Sequence, residues 1–307
     1  PRVTDAASGL LRAGLRVPLI AQKVQVGQMI VHATDRLQFT PGAVALLQTF
    51  ANQAALAIQR AGLVEALQDK IVQLEAAQVA LVKKARLDRE LELARQVQQS
   101  VLPRIFPLLP GYTFAAHNEP ARQVGGDFYD VILLDADRFA LVVGDVSDKG
   151  MPAALYMALT RSLILAEARR APSPLTVLTN VHRLLVELGQ PSMLVTVFYG
   201  VVDGAAQRLI YSRAGHERPI LLRDGRAQFL RGEGTLLGFD VGDVHLSEEQ
   251  IDLAPGDRLV LYTDGLIDAQ SADGRPFGLS QLADLLQSNA ALPPAGLCAA
   301  AFAALAA

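Results

Sequence analysis

The chain has 307 residues, 51% of them hydrophobic, with one cysteine, five histidines and a net charge of −3. It holds enough apolar material for one packed domain of roughly 200 residues plus accessory elements, and too much for a disordered chain. Cys298 alone excludes a disulfide framework, the scattered histidines give no zinc-ligand spacing, and a reducing cytoplasm is the expected setting. Residues 105–307 carry 15 basic and 23 acidic side chains, which argues against a nucleic-acid groove there and suits a site whose charge is offset by bound cations.

From the N-terminus, Val17–Ala21 and Gln28–His32 read as two short strands joined by a polar stretch that contains Gly27. Thr40 offers an N-cap and Pro41 a first-turn residue for a helix from Gly42 to Ala61. The stretch V-P-L-I-A…G-Q-M-I-V, followed by F-T…L-L-Q-T-F-A-N-Q-A-A-L-A-I, resembles the C-terminal half of a GAF sensor domain. That family's first strands and pocket-forming segments would lie before Pro1, so residues 1–61 are expected to form a helix-and-hairpin cap without a ligand role. The chain starts without an initiator Met and reads as a fragment.

Residues 62–104 read as a linker. Val64, Leu67, Ile71, Leu74, Gln78, Leu81 and Ala85 alternate at spacings of 3 and 4, the a/d seam of a short coiled coil, with Gln78 as a polar core position that fixes register. A parallel homodimer is expected; a single helix packed on the downstream domain is the alternative. Past Lys83, Lys84 and Arg86 the seam continues through Leu87, Leu91, Ala94 and Val101 only in a shifted frame. Pro103 ends the helix, and Pro107 and Pro110 keep the next residues non-helical.

Beyond this boundary strands are expected at Tyr112–Asn118, Phe128–Leu134, Arg138–Val146, Leu194–Val202, Arg208–Ser212, Pro219–Arg223 and Arg258–Thr263. Helices are expected at Pro152–Arg170 and Leu175–Leu188. Strand runs around a helix pair indicate an α+β fold rather than βαβ alternation. The most apolar stretch, Met151–Ala168, is broken by Arg161 and Glu167, so no membrane span is expected.

Three acids stand where apolar strands should end. Asp127 follows a Gly pair, Asp145 follows the run Phe139–Val143, and Asp264 follows Arg258–Thr263. A lone Asp-Gly pair usually marks only a turn. Three carboxylates that converge repel one another and resist desolvation, which is tolerable mainly around a hard divalent cation.

The motifs G-G-D-F-Y-D, G-D-V-S-D-K-G and Y-T-D-G, in this order, resemble the PPM-type Ser/Thr phosphatases. Within them the nearest likeness is the SpoIIE/RsbU-like branch of bacterial sporulation and stress-response sigma-factor regulators. Ala94–Pro103 is similar to that branch's A-x-x-I-Q-x-x-L-L-P. The resemblance implies a sandwich of two antiparallel sheets flanked by helices over residues 105–307, and a pair of Mn²⁺ or Mg²⁺ ions. It further implies that Asp127, Asp145 and Asp264 are the catalytic metal ligands, Asp145 bridging, with the Val146 carbonyl as a further ligand. Arg122 and Lys149 are the candidate substrate contacts, and Asp130, Asp148 and Asp268 are secondary candidates. His216, in R-A-G-H-E-R-P, is expected to be structural.

Relatives finish with an acidic pair and a strand of the D-D-x-T-L-L type, which this chain lacks before Ala307. The implied function is metal-dependent hydrolysis of phosphoserine or phosphothreonine on a regulatory partner of the anti-sigma-factor-antagonist type. A catalytically silent dimeric signalling scaffold is the alternative. G-G-D-F-Y-D as a diguanylate-cyclase relic is a third reading, opposed by the lack of βα alternation.

Overall fold

The computed structural model describes residues 2–4, 13–35, 39–120, 123–171, 173–189, 193–239, 244–271 and 273–305. Two compact units divide the chain, Pro1–Leu87 and Asp88–Ala307. In the first, strands β1 (Arg2–Thr4), β2 (Ala13–Ala21) and β3 (Val24–Ala33) form an antiparallel sheet in the order β1-β2-β3. The hairpin turns at Gln22 and Lys23, whose φ values of 48° and 66° are left-handed, at the start of the polar stretch expected to join the two strands, and β3 begins earlier than expected, at Val24. Gly27 lies inside β3, where a Cβ would come within 3.2 Å of Leu19 Cδ1, so its role is to make room rather than to turn. Leu15, Val17 and Leu19 pack against Ala51 and Ala55 of the following helix.

That helix, α1, runs from Pro41 to Val101 as one element, joining two stretches expected separately. Thr40 caps it, its hydroxyl accepting from Ala43 N at 3.2 Å. The heptad residues Leu67, Ile71, Leu74 and Leu81 are between 53% and 67% exposed in the single chain.

The second unit adds β4 (Phe128–Leu133), β5 (Arg138–Val146), α2 (Met151–Ala168), α3 (Pro174–Glu187), β6 (Val195–Asp203), β7 (Arg208–Ala214), β8 (Ile220–Arg223) and β9 (Arg226–Phe229). These are followed by β10 (Glu248–Asp252), β11 (Arg258–Val260), α4 (Asp264–Ile267), α5 (Gly278–Ser288) and α6 (Pro294–Leu305). A five-stranded sheet, β10-β7-β6-β5-β4, and a three-stranded sheet, β11-β8-β9, are both antiparallel.

The period-2 alternation of the strands assigns the layers. Ala140, Val142, Val195, Val197 and Tyr199 share a core with α2 and α3. Their neighbours Phe139, Phe198 and Val202 meet Leu221 of the second sheet in a core between the sheets. The other face of that second sheet, Ile220 and Leu222, packs on Leu282, Leu286 and Leu297 of α5 and α6. The expected α+β two-sheet sandwich with helices outside is therefore the observed fold.

Two expected strands differ. Tyr112–Asn118 enters no ladder beyond an isolated bridge from Tyr112 to Leu109. Tyr112 and Phe114 are held instead by ring packing, with centroids 4.9 and 5.5 Å from Phe139. The strand expected over Arg258–Thr263 pairs only to Val260, and Asp264 opens the short helix α4 rather than ending a strand.

Candidate active site

The ladder between β4 and β5 aligns Phe128 with Gly144. One step further along the same register, Asp127 faces Asp145. Gly144 is required here because a Cβ would lie 2.5 Å from the Phe128 ring and 2.9 Å from Thr196 O. The Asp127 and Asp145 carboxyls are close enough to act directly on each other, and Asp264 is near enough for its charge to act on both. Thr263 Oγ1 donates to Asp127 Oδ2 at 3.1 Å.

Backbone contacts fix the loop before Asp127. Asn118 Nδ2 donates to Asp127 O at 3.3 Å, and Val146 N donates to Gly126 O at 3.4 Å. At Gly126 a Cβ would stand 2.5 Å from Val146 O and 3.0 Å from Asp145 Oδ1, so the floor between the two strand ends admits no side chain. Behind β5, Thr196 is paired with Asp145 in the ladder and its hydroxyl is 2.9 Å from His216 Nδ1. His216 is buried, and burial, with Arg213 beside it, lowers its pKa to about 4. The neutral ring supports β6, in keeping with a structural role.

The electrostatics are those of two carboxylates that cannot both ionise at no cost. Burial first, and then the Asp127 charge, push Asp145 up to about 8, with Lys149 working in the opposite direction. Asp127 is also raised, chiefly by burial, against the lowering effect of its bonds from Asp145 and Thr263. Glu217, which the sequence had not singled out, is raised by burial and by Asp264.

Among the described residues no three His, Cys, Asp or Glu side chains stand together as a finished ligand cage. The structure brings Asp127 and Asp145 into contact and leaves Asp264 at electrostatic range. The donor set is nevertheless all oxygen, and the side-chain-free floor at Gly126 leaves the Val146 carbonyl and Asp145 Oδ1 adjacent. Such a set suits a hard divalent cation.

Of the other candidates, Lys149 is exposed and Arg122 lies outside the described residues. Asp148 is exposed at φ 79°, its carboxylate accepting from Lys149 N at 2.7 Å. Asp268 is exposed at the end of α4. Asp130 is not at the site: it is buried and paired with Arg161 of α2 at 2.5 Å, because its position in β4 turns it to the helix-covered face. Sequence reasoning missed Gln98, Asn118 and Thr263 as supports of the site. The one available signal was Gln98, a polar residue on the half-buried face of α1 that also carries Leu91, Ala94 and Val101.

This fold and this carboxylate arrangement define a PP2C-type domain. The family profile described as Stage II sporulation protein E (SpoIIE) matches residues 135–307, and the chain belongs to that family. A GAF domain profile matches residues 4–58. Protein IcfG of Synechocystis sp. is 34% identical over 229 residues, covering 65% of this chain and 36% of its own. Phosphoserine phosphatase RsbU of Bacillus subtilis is 29% identical over 187 residues, covering 60% of this chain and 55% of its own. The chain thus spans between about a third and just over half of these relatives. Among solved structures, the SiaA-PP2C domain of Pseudomonas aeruginosa superposes with a TM-score of 0.64 at 27% identity, covering 73% of this chain and 90% of that one. No helix of the described residues is long and apolar enough to cross a membrane.

Proposed function

We propose that the chain is a metal-dependent protein serine/threonine phosphatase. The observation that carries this reading is the pair of carboxyls Asp127 and Asp145 brought opposite each other by the β4–β5 register over the side-chain-free Gly126. The likeness to a relative named phosphoserine phosphatase supports it. Asp127, Asp145 and Asp264, with the Val146 carbonyl, would hold Mn²⁺ or Mg²⁺, two ions in all. When bound, such ions supply an acidified water and neutralise phosphoryl oxygens.

The chain's own residues perform the remaining tasks. Asp127 and Asp145 would serve as ligands in their ionised form, held side by side by the β4–β5 register. Thr263 fixes the rotamer of Asp127, and Thr196 with His216 braces the strand behind Asp145. Lys149 adds a positive charge at the exposed edge, and Lys149 and Arg122 are the substrate contacts of this proposal. The substrate is a phosphorylated regulatory protein of the anti-sigma-factor-antagonist type, met in the cytoplasm. Turnover of a phosphoserine peptide is expected to rise with added Mn²⁺ and to vanish on chelation. Binding of the phosphoprotein with no turnover at any Mn²⁺ or Mg²⁺ concentration would favour the silent scaffold instead. That second reading draws on the open arrangement of Asp264.

In this proposal residues 1–61 are the C-terminal part of a GAF-like sensor domain, 62–104 a coiled-coil linker and 105–307 the phosphatase domain. The proposal includes a parallel homodimer through the linker, because the uncovered seam of Leu67, Ile71, Leu74 and Leu81 is apolar surface that a second copy would bury. Sedimentation velocity is expected to show a dimer for the native chain and a monomer for Ile71→Asp. A native chain that sediments as a monomer at tens of micromolar would refute the assembly.

A further inference from the structure

The last turn of α1 makes a contact with the site that the linker pattern does not require. Gln98 is 9% exposed, and both ends of its amide are spent on one residue. Nε2 donates to Gly125 O at 2.5 Å, and Oε1 accepts from Gly125 N at 3.2 Å. The side chain therefore treats the Gly125 backbone as a neighbouring strand would, satisfying its donor and its acceptor together. Gly125 is followed by Gly126, which lies against Val146 O and Asp145 Oδ1, and then by Asp127. The other backbone bonds on this loop, at 3.3 and 3.4 Å, are longer than the bond from Gln98 Nε2. Two consecutive glycines without side chains have little else to hold them in one conformation.

We infer that Gln98 is a positioning residue for the cation site: its amide latches the Gly125–Gly126 backbone so that the Asp127 carboxylate is presented to a divalent metal. The inference rests on Asp127 being a metal ligand. It deepens that reading by assigning a determinant of affinity to the linker helix. Outer groups that orient metal ligands typically account for about 10–100-fold in metal affinity, and Gln98 acts on the ligand through two residues of backbone. The latch forms only when the final turn of α1 is helical with this face turned inward. Gln98 shares that half-buried face with Leu91, Ala94 and Val101, while Leu93 and Val97 are 55% and 65% exposed. Fraying or rotating the turn withdraws both hydrogen bonds at once.

The test combines two readouts on the native chain and on Gln98→Leu, Gln98→Glu and the exposed control Gln96→Leu. One is Mn²⁺ affinity by calorimetry. The other is amide hydrogen exchange in the metal-free protein by NMR. Gln98→Leu is expected to weaken Mn²⁺ binding by about 10–100-fold and to speed Gly125 exchange at least tenfold, with β5 and β6 amides unchanged. Gln98→Glu keeps the acceptor for Gly125 N but sets a carboxylate against Gly125 O, so it should retain Gly125 protection yet still weaken Mn²⁺ binding. Gln96→Leu should alter neither readout. Native Gly125 protection and native Mn²⁺ affinity in Gln98→Leu would overturn the inference. A uniform rise in exchange across β5 and β6 would also overturn it, since Gln98 would then be a general packing residue. If the native chain bound no Mn²⁺ at all, the metal assignment would fail separately, while Gly125 exchange would still report whether the latch exists.

Discussion

Asp145→Asn is expected to lower phosphopeptide hydrolysis by about a thousandfold or more, equivalent to about 4 kcal/mol of transition-state stabilisation, without unfolding the domain. An amide has nearly the shape of the carboxyl but no charge to offer a cation. The loss should therefore appear in metal binding and turnover, not in packing. In the metal-free protein the substitution removes a half-buried carboxyl whose ionised form is disfavoured by burial and by the Asp127 charge, which push it up to about 8. The melting temperature measured in chelator should match or exceed that of the native chain, and Mn²⁺ should no longer raise it. Turnover retained in this variant would defeat the assignment of Asp145, whatever the fate of the fold.

Arg161→Ala is expected to cost the fold about 3–5 kcal/mol, the usual penalty for stranding one member of a buried ion pair. Asp130 Oδ2 lies 2.5 Å from Arg161 Nη2, with the side chains 7% and 18% exposed, and Asp130 Oδ1 accepts from Val131 N at 2.8 Å. Removing the guanidinium leaves a buried carboxylate without the counter-charge it now has. The double variant Asp130→Asn, Arg161→Met should recover most of the loss in urea denaturation, because a neutral pair of similar volume needs no ion solvation. A single-variant loss below about 1 kcal/mol would mean that the pair behaves like a solvated surface bridge. The pair pins α2 to the strand that Asp127 precedes, so its loss should loosen the strand end that presents the carboxylate.

Residues with strong local signals were legible in the sequence. The apolar and β-branched runs Arg138–Val146 and Leu194–Val202, bounded by turn residues, marked their strands, and α2 and α3 lie within a residue or two of their expected ends. Asp127 and Asp145 could be brought together in advance because each borders an apolar strand, Asp127 just ahead of Phe128 and Asp145 just after Phe139–Val143. Legibility failed where partners are remote or where rings replace hydrogen bonds. Tyr112–Asn118 has strand composition, but it meets the core through aromatic packing rather than a ladder. Strands β9 and β10 carry alternating polar residues at partly exposed edges, and α5 and α6 cover a sheet whose hydrophobic face cannot be known before that sheet is built. Asp130 has the same composition cue as Asp127, yet three residues along a two-residue period turn it to the other face. Gln98 signals itself only as a polar residue within the stripe of Leu91, Ala94 and Val101, and its meaning comes from the backbone it meets.

The β4–β5 hairpin has a consequence for how the site comes into being. Asp127 and Asp145 are brought together by one antiparallel hairpin, a local event with a small entropic cost of closure. The Thr263 bond that orients Asp127 spans 136 positions of sequence, and Asp264 arrives with it. Such long-range closure comes late and slowly in folding. The site therefore has a near half written into a single hairpin and a far half delivered only when the chain has folded back on itself. A partly folded chain presents two carboxylates to a cation, and the third is contributed by completion of the fold.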